Sequence, residues 1–446
     1  MPDELEKLVQ DDIRSINDKF LKQYIKKHDN FCIYPFIHLE ILTNVDGSMS
    51  AGPLCCSANG LNHTHVLKLK KERLLEDFGN PKFEELRQQI RKNKLPDACH
   101  QQCPKNQKVT HRSVINELYK KQVQFKTIIE NPRLIRLNWK FGNHCNLACR
   151  MCAPSISSHF NKVLSSSSES LKLNLEKFNL YPSKRGDKIN RTNDVTLKKL
   201  KNMLPHLQYL QTSGGEPFLS NELDNFLKTA IETKDCEHIE LEITTNGTKF
   251  IKEKLDLISK FKYIRFVISI DGTDSIYDYI RYPFKYSILR KRLEYLAEYI
   301  KEYDLGNKTE VSITCMGMIY NLFEYGKLEK LFNEIISPMD LVYSGFFMDP
   351  QLTGFFTLDE MAYHYHILNL KFAPSYLIAE ALDYYKKYSD EDPEEKLWYI
   401  KLKHIHEEWQ GMSYQPLIKE YTQTFDGMYN QNYQKLLHPS IIKFLS

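Results

Sequence analysis

The sequence predicts an α/β protein: a partial (βα)6 TIM-like barrel, preceded by a small cysteine-bearing module and followed by a helical carboxyl-terminal extension. Three observations carry this. Six apolar, strand-like runs begin near Leu134, Leu207, Ile239, Ile264, Val311 and Leu341. Helix-length stretches such as Asn221 to Thr233 and Tyr286 to Glu302 separate most of them, and strands alternating with helices indicate βαβ units and a parallel sheet. Six units fall short of the eight that close a barrel, so the barrel is expected to be open. The ten cysteines are concentrated early: Cys32, Cys55, Cys56, Cys99 and Cys103, then Cys145, Cys149 and Cys152, with Cys236 and Cys315 isolated and none beyond.

Taken in order, residues 1–30 read as a charged amphipathic helix. Residues 31–130 form the first cysteine-bearing module, in which Phe31 to Leu42 looks like a strand and Asn44 to Gly47 supplies a turn before a second strand, Ser48 to Leu54. Residues 131–345 are the barrel. The serines 165–168 and the polar stretch Tyr181 to Asn193 form a long connection after its first unit, read as a mobile or functional insertion. Residues 346–446, rich in Tyr, Glu and Lys at helical spacing, are the extension.

Composition narrows the function class. With 446 residues, 61 Lys plus Arg against 57 Asp plus Glu, and 26% charged residues, the chain reads as a water-soluble globular protein with a core of ample size. The opening residues lack the apolar core of a secretory signal, and no run of about 18 apolar residues suggests a membrane span. A cytoplasmic location with no membrane partner is expected. For a large chain of this kind, metal or redox chemistry explains the cysteines better than a disulfide framework.

The strongest signal follows the first barrel strand. Leu134 to Phe141 runs into Gly142-Asn143-His144-Cys145-Asn146-Leu147-Ala148-Cys149-Arg150-Met151-Cys152. Three thiolates in a Cys-x3-Cys-x2-Cys spacing can hold three irons of a 4Fe–4S cluster, and the missing fourth ligand leaves one iron open. In a parallel barrel this loop lies at the carboxyl ends of the strands, where active sites are built. The alternative is a zinc site completed by His144.

The loop resembles the cluster motif of the radical S-adenosylmethionine (SAM) superfamily, and later segments fit that family in order. Ser213-Gly214-Gly215-Glu216-Pro217 resembles the GGE segment that holds the SAM amino group, Thr244-Thr245-Asn246-Gly247 ends the third strand, and Ser269-Ile270-Asp271-Gly272 ends the fourth. The resemblance implies that Ser269 and Asp271 lie near the ribose and methionyl parts of SAM, and that the fifth strand, Val311 to Ile319, meets the adenine through its backbone. Many members carry an aromatic residue before the last cysteine; here it is Met151, whose polarizable side chain suits the same packing. The implied cofactor-binding set is Met151, Gly214, Gly215, Glu216, Pro217, Asn246, Ser269, Asp271 and Ile319.

The amino-terminal cysteines resemble twitch or SPASM-like modules that carry an auxiliary iron–sulfur cluster, placed here before the barrel. Successive side chains on a strand face opposite ways, so Cys55 and Cys56 are not both expected to bind one cluster. The expected ligands are Cys32, Cys55, Cys99 and Cys103, with Cys56 the replacement for Cys55; a zinc knuckle is the alternative. Cys236 and Cys315 read as small buried hydrophobes, the tyrosines and His364, His366, His404 and His406 as core, and Asp278 and Arg281 as active-site groups or a surface pair.

The resemblance implies an enzyme that cleaves SAM reductively to a 5′-deoxyadenosyl radical, which then takes hydrogen from a substrate. It also implies an electron donor such as flavodoxin or ferredoxin. Twitch-bearing members often act on peptides, which makes a peptide the first expectation; a nucleotide or nucleic-acid base is the alternative, and a non-catalytic metal-binding protein on the same fold is the alternative of another class.

Overall fold

A computed structural model describes Phe20, Gln23, Tyr24, Lys27, and residues 31–43, 49–53, 67–69, 76–94, 114, 115, 118, 124–152, 154, 156–178, 180, 201–349, 368, 370–389, 392–408 and 414–446. The chain divides into two compact units: residues 1–140, 191–212 and 225–240 form the first, and residues 141–190, 213–224 and 241–446 the second.

In the first unit, β1 (His38–Thr43) pairs antiparallel with β2 (Met49–Gly52), which pairs antiparallel with β3 (Leu67–Leu69). The other edge of β1 runs parallel to β4 (Arg136–Lys140), with Leu39 opposite Leu137 and Ile41 opposite Trp139. β5 (Tyr209–Ser213, whose last residue belongs to the second unit) follows β4 in the strand order. The expected strand from Phe31 begins only at His38, because Tyr34–Ile37 forms a short helical turn. Pro35 at its start favours this, since its fixed φ suits a first turn and its missing N–H is not needed there.

The helix Pro81–Arg91 is capped by the Asn80 side chain, which accepts from the Lys82 N–H at 3.0 Å. Its Leu86 and Ile90 enter one apolar core with Cys32, Phe36, Ile37 and Ile128. Between them lies Arg87, only 2% exposed. Its Nε donates to the Pro35 carbonyl and its Nη2 to the Phe78 carbonyl, each at 2.7 Å.

In the second unit, β6 (Glu240–Thr245, whose first residue belongs to the first unit), β7 (Tyr263–Ser269), β8 (Thr309–Met316) and β9 (Tyr343–Asp349) are consecutive in the strand order. β7 and β8 pair in parallel, with Phe266 opposite Val311 and Ile268 opposite Ile313, and β9 pairs parallel to β8. Buried and half-buried residues alternate strictly along β6 and β7, the period of two that a sheet imposes. Helices Lys252–Ile258, Tyr286–Glu302 and Tyr325–Leu331 alternate with these strands. The carboxyl-terminal region is helical, with Ser375–Tyr388, Leu397–Glu408, Gln415–Tyr429 and Pro439–Leu445. This is α/β architecture with an open parallel sheet and a helical extension.

Two expectations change in detail. The serines after the first cysteine loop are not a connection throughout: Ser165 and Ser166 end the helix Ser158–Ser166, and Ser168 caps the helix Glu169–Glu176 by accepting from the Leu171 N–H. A short hydroxyl favours such caps. The fifth barrel strand stops at Met316 rather than Ile319, because the Asn321 amide donates to the Met316 carbonyl at 2.8 Å and its Oδ1 accepts from the Met318 N–H at 3.0 Å. Those bonds draw Ile319–Asn321 into a 3-10 turn. Residues 181–193, and most of the expected first helix, lie outside the described residues.

Replacing Arg87 by Met removes the guanidinium donors to the Pro35 and Phe78 carbonyls while keeping an apolar stem. The Arg87→Met protein should lose about 3 kcal/mol of stability, measured as a lowered urea midpoint. A midpoint equal to the parent's would show that the guanidinium is dispensable.

Candidate functional site

The site is built within the second unit, at the ends of β6, β7 and β8. Its first part is the cysteine loop. Cys149 is 3% exposed and Met151 6%, while Cys145 and Cys152 are half-buried. The loop is held by its own backbone at both ends: Cys152 N–H donates to the Cys149 carbonyl at 3.0 Å, Ala148 N–H to the Tyr282 carbonyl at 2.7 Å, and Arg150 N–H to the Ile280 carbonyl at 2.9 Å. Ser157 caps the following helix by accepting from the Phe160 N–H at 3.1 Å, and its hydroxyl donates to the Leu147 carbonyl.

The Gly214–Pro217 segment lies directly on this loop. Glu216 N–H donates to the His144 carbonyl at 2.7 Å. Gly214 and Gly215 have φ of 81° and 55°, a region that disfavours every residue with a Cβ. A Cβ on Gly215 would also stand 2.4 Å from the His144 oxygen. Glycine is therefore required here by approach as well as by conformation.

Glu216 is 1% exposed. Its Oε1 accepts from the Phe218 N–H (3.0 Å) and the Thr245 hydroxyl (2.7 Å), and its Oε2 from the Asn246 N–H (2.7 Å). Burial pushes its carboxyl upward, against the pull of these donors. Asn246 in turn sends its amide to the Cys145 sulfur (3.7 Å) and to Asn146 Oδ1 (3.1 Å). Leu147 N–H donates to the same sulfur at 3.4 Å.

Asp271, at the end of β7, is fully buried. Its Oδ2 pairs with Arg281 (Nη2 at 2.6 Å, Nε at 2.7 Å) and its Oδ1 accepts from the Met316 N–H at 2.8 Å. Burial opposes the Arg281 charge, yet Asp271 and the thiols of Cys149 and Cys152 outweigh it and hold the guanidinium above its ordinary value. Ser269 is half-buried at the same strand end and Ile319 is fully buried in the turn after β8.

The structure thus gathers Cys145, Cys149, Cys152, Gly214 to Pro217, Asn246 and Asp271 into one bonded set. Of the two residues singled out together, Arg281 is in this set; Asp278 instead caps the next helix by accepting from Tyr286 N–H at 2.7 Å and pairs with Lys285 at 2.9 Å. Sequence reasoning missed Lys254, which is 3% exposed, reaches the carbonyls of Phe218 and Ser220, and pairs with Asp224 at 2.8 Å. It also missed Arg150 with Asp426, and Asn321, which ties the Asp271 carbonyl to the end of β8. Arg150 was inside the motif and visible as an unexplained charge between two cysteines; the others carry no local signal.

What this set can hold follows from its donors. Burial, then the neighbouring Cys149, pushes the Cys145 thiol up to about 12. The Cys149 thiol is raised by its hydrogen bond with Cys152 and by burial. Thiols so disfavoured as anions become good ligands once a cation is bound, because a coordinating thiol is deprotonated outright. The two N–H donors aimed at the Cys145 sulfur suit a thiolate. Among the described residues no three His, Cys, Asp or Glu side chains converge on one metal ion; a 4Fe–4S cluster asks instead for one thiolate per iron, and three cysteines on one short loop fit that demand.

Of the amino-terminal cysteines, Cys32 is 7% exposed in the apolar core of the first unit. Cys55, Cys56, Cys99 and Cys103 lie outside the described residues. Cys236 and Cys315 are buried. Among the described residues no helix is long and apolar enough to cross a membrane.

Residues 139–331 match the family model of the Radical SAM superfamily. Among solved structures, the chain is similar to Streptococcus suis SuiB bound to S-adenosylmethionine, with 15% identity over 78% of this chain and 68% of that chain and a TM-score of 0.35. It is also similar to native anSMEcpe with bound AdoMet, with 22% identity over 48% of this chain and 53% of that one and a TM-score of 0.33. The chain therefore spans about half of the second of these. No curated protein matches the sequence.

Two outcomes follow. Gly215→Ala should cost about 2 kcal/mol or more from the positive φ and the His144 contact and lower the iron taken up on reconstitution. Gly79, with nothing within 4 Å of an added Cβ, is the control; equal iron in both variants would refute the close-approach argument. In the metal-free protein, alkylation of Cys145 should keep rising about tenfold per pH unit from pH 7 to 10, since a raised pKa leaves the thiol protonated across that range. A plateau near pH 9 would contradict the burial account.

Proposed function

We propose that this chain is a radical SAM enzyme, on the match of residues 139–331 to that superfamily's model, that Cys145, Cys149 and Cys152 hold its 4Fe–4S cluster, and that the Gly214–Pro217 segment, Asn246 and Ser269 receive SAM. The observation that carries this reading is the direct bonding of the cysteine loop to the Gly214–Pro217 segment and to Asn246. When bound, cluster and SAM supply one-electron cleavage of the sulfonium bond, giving methionine and the 5′-deoxyadenosyl radical that takes a hydrogen atom from substrate.

The residues divide into two kinds. Cys145, Cys149 and Cys152 would each bind one iron and leave the fourth for SAM. The backbone of Gly214 and Gly215, with no Cβ in the way, suits a ligand that must come close. Met151 and Ile319 supply apolar packing. Glu216 and Asp271 each use three of a carboxylate's roughly four acceptor sites within the protein, which places Asn246, Met316 and Arg281 and leaves acceptor capacity toward SAM. Burying Cys149 and closing the loop with backbone bonds keeps water from the reacting groups.

The amino-terminal module is read as an auxiliary iron–sulfur site on Cys32, Cys55, Cys99 and Cys103, supported by their order and its resemblance to twitch modules. That resemblance also makes a peptide the substrate class, with a flavodoxin or ferredoxin as reductant in a cytoplasmic setting.

The test is anaerobic reconstitution with iron and sulfide, then assay of 5′-deoxyadenosine with a strong reductant. Cys149→Ala should reduce its formation about 100-fold or more; parental rates would sink the cluster assignment. The triple alanine variant of Cys145, Cys149 and Cys152 should retain iron at the amino-terminal module, and zinc alone or no metal there would overturn the auxiliary site. Deuterium transferred into 5′-deoxyadenosine from a labelled peptide supports that substrate class, whereas transfer from a nucleotide alone rejects it.

A further inference from the structure

The cysteine loop is gripped from two sides. On one, the backbone of Ile280 and Tyr282 takes the N–H groups of Arg150 and Ala148. On the other stands the helix Gln415–Tyr429, whose tyrosines lie 271 and 281 positions beyond their loop partners and which is outside the segment that matches the family model. Tyr429 donates its hydroxyl to the Ala148 carbonyl at 2.8 Å, and Tyr421 donates to the Arg150 carbonyl. The rings of Tyr429 and Tyr282 stack with centroids 4.3 Å apart and planes 5° from parallel, joining the two grips to each other.

Arg150 sits between them, fully buried. Its Nη2 meets Asp426 Oδ1 at 2.6 Å and Gln431 Oε1 at 2.8 Å, its Nε donates to the Tyr279 carbonyl at 2.9 Å, and its guanidinium lies 3.6 Å from the Tyr279 ring centroid. Asp426 is committed to this arrangement, since Oδ1 also accepts from the Tyr279 hydroxyl at 2.8 Å and Oδ2 from the Tyr433 N–H at 2.6 Å. A charge this deep is tolerated only when paired and hydrogen-bonded. Helix stability alone requires none of these bonds, because the side chains reach from the helix to the loop that carries the three cysteines.

We propose that the helix Gln415–Tyr429 is a positioning element for the cysteine loop, in which Asp426, acting through Arg150, fixes the placement of Cys149 and Cys152 and neutralises the buried cation beside them. Tyr421 and Tyr429 contribute to placement without contributing charge. The proposal rests on the cluster reading for its electrostatic half. Net charge near an iron–sulfur cluster tunes its reduction potential, so an unneutralised Arg150 would favour the reduced, more negative state.

The test separates placement from charge in the full-length protein. In the metal-free state, site-resolved alkylation followed by mass spectrometry should show Cys149 and Cys152 reacting about tenfold faster in Asp426→Asn and in Tyr429→Phe than in the parent, with fully buried Cys315 unchanged as a reporter of the unit's core. In the reconstituted state, Asp426→Asn should raise the cluster's reduction potential, whereas Tyr429→Phe should leave it in place. Glu420→Gln, a change on the same helix that removes only the charge of Glu420's exposed pair with Lys177, should change neither reading. Parental alkylation rates in both Asp426→Asn and Tyr429→Phe would overturn the placement role, and an unmoved potential in Asp426→Asn would overturn the charge role. If Asp426→Asn exposes Cys315 as well, the milder Tyr429→Phe decides placement. A parent that takes up no iron would refute the cluster reading, while the alkylation arm would still decide this one.

Discussion

The site depends on a buried carboxylate that has been given enough donors to stay where it is. Glu216 is nearly inaccessible, and moving a bare carboxylate out of water costs far more than the protein's whole stability. Three donors offset that cost, and they come from two places: Phe218 beside it, and Thr245 with Asn246 at the end of β6. The consequence is geometric. The segment after β5 cannot move relative to the end of β6 without leaving an anion uncompensated, and its backbone is bonded to His144 in the cysteine loop. One charge thereby ties three sequence-distant segments into a unit.

The same device recurs around the loop. Asp271 is paired with Arg281, Asp426 with Arg150, and Asp224 with Lys254. Buried ion pairs of this kind add little net stability over apolar packing, but removing one member is costly. They are therefore poor glue and good registers: each pins one loop against one other at a defined distance. Lys254 illustrates this, since its ammonium also collects the carbonyls of Phe218 and Ser220 and so holds the far end of the segment that Glu216 begins.

The legibility of this arrangement follows sequence separation. The six strand runs were readable because a period of two is local, and the observed ends at Ser213, Thr245 and Ser269 coincide with the motif boundaries. The cysteine loop was readable because its three cysteines lie within eight residues. The Phe31 strand and the Ile319 strand end were misread where one residue overrode the pattern, Pro35 in the first case and the Asn321 amide in the second. The motifs around Glu216 and Asp271 show that a carboxylate is needed at each place; the donors that hold those carboxylates within the protein come from other strand ends and leave no local mark. The Arg150 to Asp426 pair spans 276 positions, and no local pattern encodes a partner that far away.

A charge comparison shows what this frame is prepared to accept. Around the loop, Arg281, Arg150 and Lys254 are each matched by one aspartate, which leaves Glu216 as the carboxylate in the bonded set without a salt-bridge partner among the described residues. Three thiolates, once metal-bound, add negative charge on the same side. In a medium of low effective dielectric, such an imbalance favours an incoming cation over a neutral or anionic ligand. SAM carries a sulfonium and an ammonium against one carboxylate. The pairing of these three buried cations thus has a second effect beyond holding loops in register: it keeps their positive groups from competing with those of the ligand.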